Sequence, residues 1–307
     1  MSVAMRDWVQ SIWRGMTRII GWIVLPLAAL LRLLWPKPAV RKPASTERTV
    51  PVESAAAPVL EPVKIRKGQA LLDEETLIYA IGDIHGRADL LLNLLDRIDA
   101  DAGEFAGQVH LVFLGDYIDR GLQSRQVIET LLGDRMNPYE THFLNGNHED
   151  ALLSFLSDPH FGPKWAAYGG RETLVSYGVK PPRSMSLNAE WDDAHNAFLR
   201  AFPSAHQTFF RTLPTRVQIG GYGFVHAGLR PGKKFAEQDD HDLMWIRDEF
   251  LDGSSAFDVM VVHGHTPIDA PHHDHRRINV DTGAYFTGRL TAAKLTAQSV
   301  GFIATER

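Results

Sequence analysis

Five short segments of the chain place an acidic, amide or imidazole side chain directly after an apolar run. These segments read GDIHG, GDYIDRG, GNHE, HAG and GHT. The side chains in them that could bind a metal are Asp83, His85, Asp116, Asn147, His226 and His265. They offer oxygen and nitrogen atoms, a mixture that suits Mn²⁺, iron or Zn²⁺ better than Ca²⁺. Six donors exceed the need of one catalytic ion, so the sequence predicts a two-metal site, with Asp116 as the candidate bridge.

A second group of side chains could act on a phosphoryl group held at such a site. His148 is adjacent to Asn147, and adjacent side chains diverge, so His148 should not be a ligand if Asn147 is one. An imidazole beside a metal site suits a general acid that protonates the leaving oxygen. Asp119 is the carboxylate best placed to hold its tautomer, and Arg120 can bind phosphate oxygens through its forked guanidinium.

The composition restricts the chemistry. The 307 residues include no cysteine and 14 histidines. A disulfide framework, a cysteine-type zinc site and a cysteine nucleophile are therefore excluded. The hydrophobic content of 44% is enough for a sizeable core.

The apolar runs before the polar segments predict the strands that must position them. These strands cover residues 77–81, 109–114, 141–144, 216–219, 222–228, 259–262, 278–283 and 289–295. Helical spacing predicts helices over residues 88–100 and 124–132. Strand followed by helix is the start of a βαβ pattern, which by itself fits an ordinary doubly wound sheet. In extended backbone, Asp83 and His85 would point to the same side.

Three other features are less directly tied to the chemistry. Residues 150–213 interrupt the strand rhythm and predict a helical insertion, which either shapes the substrate cleft or serves packing alone. His263 precedes a predicted ligand and should face away from the metals. The residues 272–275, His-His-Asp-His, are expected to form a solvated loop rather than another metal site.

The first 67 residues differ in character from the rest. Residues 1–35 contain an apolar run over 19–31 surrounded by Trp and Arg, and predict a membrane anchor. A spanning helix, an in-plane interfacial helix, a cleaved signal peptide and a buried globular helix remain open alternatives. Residues 36–67 are rich in Pro and Ala and predict a disordered tether. The catalytic domain is then residues 68–307.

The charge is unevenly distributed between these parts. The first 67 residues hold 11 Lys and Arg against 4 Asp and Glu, a net charge of +7, and the remainder carries −12. An acidic body argues against nucleic acid as the partner, and a basic tail suits anionic lipid. The Lys and Arg flanking the apolar run favour a location at the cytoplasmic face of the inner membrane, or otherwise in the cytoplasm.

In this order, the five motifs resemble those of the PPP-type metallophosphoesterases, the serine/threonine protein phosphatase family. The resemblance covers residues 77–295. It implies an α/β fold of the calcineurin-like type, an α+β sandwich of sheets flanked by helices with a dinuclear metal site at the strand ends. It also implies that the first ion is held by Asp83, His85 and Asp116, and the second by Asp116, Asn147, His226 and His265.

The resemblance further implies roles for the remaining residues. His148 and Asp119 would form the acid pair, and Arg120 would bind phosphate. A second phosphate-binding arginine of the family matches Arg247, which follows Leu243-Met-Trp245. The chain departs from the family in two places. Eukaryotic members carry Arg where this chain has Asn145, and no second His follows His265 as in many other metallophosphoesterases.

The expected activity is that of a phosphomonoesterase acting on phosphoserine or phosphothreonine in proteins, extending to phosphotyrosine. A metal-bridged hydroxide would attack phosphorus, with two divalent ions as cofactors. Mn²⁺ is the leading expectation, and iron and Zn²⁺ are the alternatives. The competing interpretation is a hydrolase of dinucleoside polyphosphates, and Glu149 is taken to favour the phosphoprotein. A catalytically inactive scaffold and a nuclease fit the ligands and the charge less well.

Overall fold

A computed structural model of the chain describes residues 63–64, 71–185 and 188–306. The predicted membrane anchor, and the predicted tether apart from residues 63–64, lie outside the described residues. In the part that is described, no helix is both long and apolar enough to cross a bilayer.

Six strands form the first sheet. They are β1 (Val63–Lys64), β2 (Thr76–Ile81), β3 (Gln108–Phe113), β4 (Glu140–Phe143), β10 (Thr291–Leu295) and β11 (Ser299–Ala304). Their order across the sheet is β1-β11-β10-β2-β3-β4. Strands β2, β3 and β4 run parallel, whereas β10 is antiparallel to β2 and to β11. The carboxyl ends of β2, β3 and β4 therefore lie at the same edge of the sheet.

Five strands form the second sheet. They are β5 (Arg216–Ile219), β6 (Tyr222–Val225), β7 (Met260–His263), β8 (His272–His273) and β9 (Arg277–Asn279). Their order is β5-β6-β7-β9-β8, with β6, β7 and β9 parallel. The solvated loop expected at residues 272–275 is wrong in part, because His272 and His273 pair with β9 as an edge strand.

The two sheets face each other across an apolar layer. Ile78 and Ala80 of β2 share this layer with Phe224 of β6 and Val262 of β7. The alternate residues of β2, such as Tyr79, pack on the opposite side against helices. Both faces of β2 are thus buried, which explains its continuous apolar run. The sandwich of sheets flanked by helices that the resemblance implied is therefore confirmed, because a second sheet covers the face of β2 that helices would cover in an ordinary doubly wound sheet.

Ten α-helices of the described chain surround these sheets or cap their ends. They are α1 (Ala88–Ala102), α2 (Ser124–Leu131), α3 (Asn147–Ser157), α4 (Gly162–Ala167), α5 (Gly170–Ser176), α6 (Asn188–Ala201), α7 (Ser204–Thr212), α8 (Asp240–Trp245), α9 (Asp248–Leu251) and α10 (Ala284–Thr287). In α1, Leu91, Leu94, Leu95 and Ile98 are fully buried, as their helical spacing requires.

Helices α3 to α7 fill the stretch between β4 and β5, where the sequence predicts the helical insertion. Aromatic side chains hold them together. The Phe155 and Trp165 rings stack with centroids 4.7 Å apart, and Phe198 stacks on Phe202 at the same distance. This cluster is continuous with the apolar side chains of α1 and of the outer face of β2. The insertion is thus part of the main core.

Candidate active site

The predicted site residues gather where the parallel strands of both sheets end. The side chains that follow β2, β3, β4, β6, β7 and β9 are, respectively, Asp83 and His85, Asp116, Asn147, His226, His265 and Asp281. Parallel strands end at a common edge, so six separate chain segments converge there. Each of these side chains is at least nine-tenths buried.

Asp83, His85 and Asp116 form the first group of possible ligands. The His85 Nε2 atom lies 3.4 Å from an Asp116 oxygen and 3.9 Å from an Asp83 oxygen. The Asp83 carboxylate accepts hydrogen bonds from the backbone N–H of His265 at 3.1 and 3.2 Å. That contact joins the loop after β2 to the loop after β7.

Asp116, Asn147, His226 and His265 form the second group. The Asn147 Oδ1 atom lies 2.9 Å from His226 Nε2 and 2.8 Å from His265 Nδ1. The other oxygen of Asp116 lies 3.4 Å from His226 Nε2. Asp116 therefore faces both groups, one oxygen to each, as a bridging carboxylate must.

The tautomers of two histidines fit a cation at this cluster. His226 Nδ1 lies 2.8 Å from the Leu114 carbonyl oxygen, and His85 Nδ1 lies 3.0 Å from that of Ile118. A proton on each Nδ1 donates to the carbonyl, which leaves the Nε2 lone pairs directed at the carboxylate. Burial lowers the pKa of both imidazoles below the ordinary value, which keeps them neutral.

The acidic residues carry negative charge that two cations would offset. Burial alone would raise the pKa of Asp116, but His226, His148 and His85 around it outweigh burial and lower that pKa. Burial and the neighbouring Asp281 raise the pKa of Asp83. Converging lone pairs on buried carboxylates, an amide oxygen and neutral imidazoles are the chemistry of a ligand set, so these residues fit two divalent ions.

The backbone reaches these positions through strained conformations. Five non-glycine residues of the described chain have positive φ, and all belong to the predicted site: His85 (46°), Asp116 (53°), Asp119 (71°), Arg120 (67°) and His265 (65°). Such conformations cost about 1–3 kcal/mol each and concentrate at functional sites. The extended backbone assumed between Asp83 and His85 is therefore wrong, although both side chains still reach the same cluster.

His148 is held as the sequence predicts for a general acid. Its Nδ1 atom lies 2.7 Å from Asp119 Oδ2, and its Nε2 atom faces the cluster, 3.7 Å from Asp116. Burial would lower the pKa of His148, but the carboxylates of Asp116 and Asp119 outweigh burial and raise it. A raised pKa favours the protonated ring that a general acid needs.

Two arginines border the cluster. The Arg120 guanidinium lies with Nη1 2.9 Å from His85 Nε2 and Nη2 3.1 Å from His148 Nε2. Arg247 is exposed and donates to the Thr266 hydroxyl at 3.2 Å, next to the ligand His265. Arg120 thus contacts the first ligand group directly, and Arg247 contacts a residue adjacent in sequence to His265 of the second.

Glu149 has a role that the sequence analysis misassigned. Its carboxylate is fully buried and accepts from the backbone N–H groups of Asp116 (2.7 Å), Tyr117 (2.9 Å) and Gly146 (3.0 Å). It therefore ties the loop after β3 to the start of α3 and does not face a substrate. The preference for a phosphoprotein that was based on Glu149 loses its basis.

Trp165 of α4 and Thr173 of α5 hold Asp119 in place, a role that the sequence did not predict. The Trp165 indole N–H donates to Asp119 Oδ2 at 2.9 Å, and the Thr173 hydroxyl donates to Asp119 Oδ1 at 2.6 Å. These contacts leave Asp119 with one orientation. Trp165 lies in the helical insertion, for which a role in the substrate cleft and a role in packing alone were both open. Its ring packs in the core, and its indole N–H also contacts Asp119.

Asp281 is the other site residue that the sequence analysis passed over. It lies in the loop after β9, where a continuing strand was expected, and accepts from the Gly283 N–H at 2.9 Å. Burial raises its pKa to about 6. Its position after a strand, in the segment Val-Asp-Thr-Gly, is the same signal that identified Asp83 and Asp116.

Gly146 permits a close approach between two loops of the site. A Cβ atom at this position would lie 2.4 Å from Asp116 Oδ1 and 2.7 Å from Glu149 Oε2. Any side chain there would displace the Asp116 carboxylate. The glycine before Asn147 is therefore required by the packing of the two loops.

Comparison with known proteins agrees with this geometry. A calcineurin-like phosphoesterase profile matches residues 76–296. Bis(5'-nucleosyl)-tetraphosphatase PrpE (asymmetrical) of Anoxybacillus flavithermus is 27% identical over 243 residues, covering 71% of this chain and 90% of its own. The protein of that name from Halalkalibacterium halodurans is 28% identical over 228 residues, covering 70% and 88%.

A solved structure shows the same fold. The crystal structure of a candidate diadenosine tetraphosphatase superposes with a TM-score of 0.53 at 20% identity, covering 76% of this chain and 95% of its own. The family profile spans well over half of the chain and includes every predicted ligand. The chain belongs to the calcineurin-like phosphoesterase family and is a metal-dependent hydrolase of phosphate esters.

Proposed function

We propose that this hydrolase cleaves dinucleoside polyphosphates asymmetrically, using two divalent ions, with Mn²⁺ the first choice. Three observations support the proposal: the ligand set, the aromatic side chains beside it, and the names of the relatives. The aromatic side chains carry the argument. They contact the part of the substrate beyond the phosphate, which is what distinguishes a nucleotide from a phosphoprotein.

An exposed aromatic pair borders the first ligand group. Tyr285 and Phe286 of α10 are 39% and 60% exposed, with ring centroids 4.9 Å apart. The Tyr285 ring lies 5.5 Å from the His85 ring, and the Arg120 guanidinium lies 4.7 Å from its centroid. Exposed rings beside a phosphate site are suited to stacking on a nucleobase.

A second aromatic pair lies near the general acid. Tyr168 and Trp245 are both partly exposed, with ring centroids 5.9 Å apart, and Tyr168 lies 6.0 Å from the His148 ring. Two aromatic pairs bordering one cluster suit a ligand with a base at each end. The phosphoserine residue of a peptide substrate has no ring that could stack on either aromatic pair.

The relatives support the same substrate class. Both PrpE proteins are named as asymmetrical bis(5'-nucleosyl)-tetraphosphatases, and this chain covers 90% and 88% of their lengths. The residues matched by the family profile, 76–296, include all the motifs. The dinucleoside polyphosphate is therefore a better supported substrate than the phosphoprotein.

Different residues of this chain would have different roles in such a cleavage. Arg120 and Arg247 would hold phosphate oxygens and orient the chain of phosphates across the cluster. His148, aligned by Asp119, would protonate the oxygen of the leaving phosphate. Two divalent ions at the ligand groups would neutralise phosphate charge and activate water.

The test is a direct comparison of substrates by the purified full-length protein with Mn²⁺. Diadenosine tetraphosphate, a phosphoserine peptide and an aryl phosphate would be compared by kcat/KM, with nucleotide products separated by chromatography. We expect diadenosine tetraphosphate to give the highest kcat/KM and to yield ATP and AMP. Two ADP would contradict asymmetric cleavage, and a higher kcat/KM for the phosphopeptide would restore the phosphoprotein interpretation.

A variant pair makes the comparison specific to the aromatic side chains. Phe286→Ala should raise KM for diadenosine tetraphosphate and leave the KM for the aryl phosphate nearly unchanged. Leu122→Ala is the matched control, because Leu122 is 62% exposed in the described structure and is not aromatic. An equal effect of Phe286→Ala on both substrates would remove the stacking argument.

A further inference from the structure

Three side chains with metal-binding atoms lie together on the first sheet, apart from the catalytic cluster. They are His110 of β3 and Glu140 and His142 of β4. In the register of the two parallel strands, His110 is opposite Glu140, and Val112 is opposite His142. Alternate residues share a face, so all three project from the same side of the sheet.

The donor atoms are close to one another. His110 Nδ1 lies 3.2 Å from His142 Nε2. The Glu140 oxygens lie 3.7 Å from His142 Nε2 and 4.0 Å from His110 Nδ1. The two imidazole rings are nearly parallel, at 16°, with centroids 5.5 Å apart. Two imidazole nitrogens and a carboxylate therefore converge on one point.

The surroundings leave the cluster accessible from one side. Strand β4 is the last strand of its sheet. The side-chain exposure rises from 8% at His110 through 21% at His142 to 47% at Glu140. An ion could reach the two nitrogens past the carboxylate. The Gln108 amide donates to Glu140 and holds it over the opening.

We propose that His110, Glu140 and His142 bind one further divalent cation of the zinc class, with a fourth position left to water. Two nitrogens bound to Zn²⁺ at about 2.0–2.1 Å in tetrahedral geometry lie roughly 3.3 Å apart, close to the distance found here. The partly exposed Glu140 can move the few tenths of an ångström that remain. Imidazole favours Zn²⁺, Ni²⁺ or Cu²⁺ over Mg²⁺ or Mn²⁺.

The charge state suits a ligand. Burial, followed by the neighbouring His110, lowers the pKa of His142, so its ring is neutral near pH 7. Without a cation, the two facing nitrogens can share only one hydrogen bond. A divalent ion satisfies both nitrogens and the carboxylate at once.

This site is separate from the catalytic one. Asp116 and Asn147 follow the carboxyl ends of β3 and β4, whereas His110 and His142 lie within those strands. An ion here would join strand β4 to β3, the strand it pairs with in the described part of the chain. We therefore expect it to stabilise the fold without taking part in hydrolysis.

The test is a zinc titration of full-length protein preloaded with Mn²⁺, followed by a chromophoric chelator in competition. Wild-type protein should bind one more equivalent of Zn²⁺ than His142→Ala, and Glu140→Gln should weaken that equivalent by about 10–100-fold. His142→Ala should keep its Mn²⁺-dependent hydrolysis. The difference of one equivalent does not depend on how many ions the catalytic site binds.

The matched control is His272→Ala. His272 is also a partly exposed histidine on an edge strand and also faces a carboxylate, Asp274 at 3.1 Å, but it is not part of a three-donor group in the described structure. His272→Ala should keep the additional equivalent. Equal zinc binding by wild type and His142→Ala, at equal affinity, would overturn the proposal.

Discussion

At the scale of single residues, the contribution of His148 should depend on the leaving group. Its ring is aligned by Asp119 at 2.7 Å and faces the ligand cluster. An alcohol needs a proton to leave, and a general acid typically contributes about 10²–10⁴-fold. A leaving phosphate, with a second pKa of about 6, needs that proton much less.

We therefore predict that His148→Asn loses about 10²–10⁴-fold in kcat on an alkyl phosphomonoester and clearly less on diadenosine tetraphosphate. The measurement is kcat for both substrates at one pH, with metal content determined in parallel. Bound metal should be unchanged, whereas Asp83→Asn should lose metal. Equal losses on both substrates would contradict the proposed role.

Glu149 is predicted to matter for stability and metal affinity rather than for substrate choice. Its two carboxylate oxygens accept hydrogen bonds from three backbone N–H groups, whereas a Gln side chain has only one oxygen that can accept. Each buried donor left unpaired costs about 1–3 kcal/mol. Glu149→Gln should lower the melting temperature and weaken Mn²⁺ binding, as measured by thermal unfolding and metal titration.

The neighbouring Asp150→Asn is the control for that variant. Asp150 is partly exposed, whereas Glu149 is fully buried. A change in substrate preference by Glu149→Gln at unchanged stability would mean that Glu149 acts on the substrate after all.

The ligands could be anticipated from the sequence because each is a polar residue directly after an apolar run. Asp83, Asp116 and His265 all follow this rule. Trp165 and Glu149 could not be anticipated from residue type. Trp165 acts through a single N–H on a ring that otherwise packs in the core, and Glu149 acts through both carboxylate oxygens on backbone N–H groups of another loop. The positive φ at Asp119 and Arg120 also leaves no mark in residue type, because only glycine would have signalled it.

At the scale of elements, the helices between β4 and β5 support the catalytic pair. Trp165 of α4 holds Asp119, which in turn holds His148. Trp165→Phe keeps most of the ring volume and removes one hydrogen bond to a charged group, worth about 1.5–3 kcal/mol. We predict a kcat lower by roughly tenfold or more, with KM nearly unchanged.

Trp191→Phe is the matched control for the helices. Trp191 is also buried, and its indole nitrogen has no hydrogen-bond partner among the described residues. Both variants lose similar packing, so only a contact with Asp119 predicts a selective fall in kcat for Trp165→Phe. Equal kcat values in the two variants would show that Trp165 serves packing alone.

The contact between His206 of α7 and Tyr177, the residue after α5, should make stability depend on pH. Burial lowers the pKa of His206 of α7, with Glu129 raising it and Arg125 lowering it more weakly, and His206 Nδ1 lies 2.8 Å from the Tyr177 hydroxyl. Below the unfolded pKa of about 6.5, the unfolded chain binds a proton that the folded chain resists. Stability is therefore lost as the pH falls through that value.

We predict that His206→Gln reduces this loss. The melting temperature of wild type should fall further between pH 7.5 and pH 5 than that of the variant, with metal concentration held constant. Above pH 7 the His206 ring is neutral in both the folded and the unfolded wild-type chain, so the variant gains nothing there. An identical fall in both proteins would assign the pH dependence to other groups.

Most strands were predictable from periodicity, but their division into two sheets followed only from the resemblance to the metallophosphoesterases. The run 77–81, and the run 109–114 apart from His110, are apolar on both faces, which shows that both faces are buried. Periodicity does not say whether helices or another sheet cover the second face. The strand β11 (Ser299–Ala304) went unnoticed because its sequence, SVGFIA, contains glycine and no clear alternation.

At the scale of the whole molecule, the acidic body and the basic first 67 residues have different expected partners. The body carries −12 and the tail +7. Each Lys or Arg near an anionic membrane surface is worth about 1 kcal/mol, and a spanning helix needs about 20 apolar residues. The apolar run over 19–31 falls short of that length unless it continues past Arg32.

We predict that the full-length protein is found in the membrane fraction, with its catalytic domain on the cytoplasmic side. The comparison is a chain lacking residues 1–60, which keeps β1 (Val63–Lys64) and its pairing with β11. That variant should be recovered in the soluble fraction with unchanged kcat/KM. Release of the full-length protein by high salt would indicate an in-plane helix held by charge, and a requirement for detergent would indicate a spanning one. Recovery of the full-length protein in the soluble fraction after low-salt lysis would contradict both, because neither the Trp and Arg flanks nor the charge of +7 would then act on a membrane.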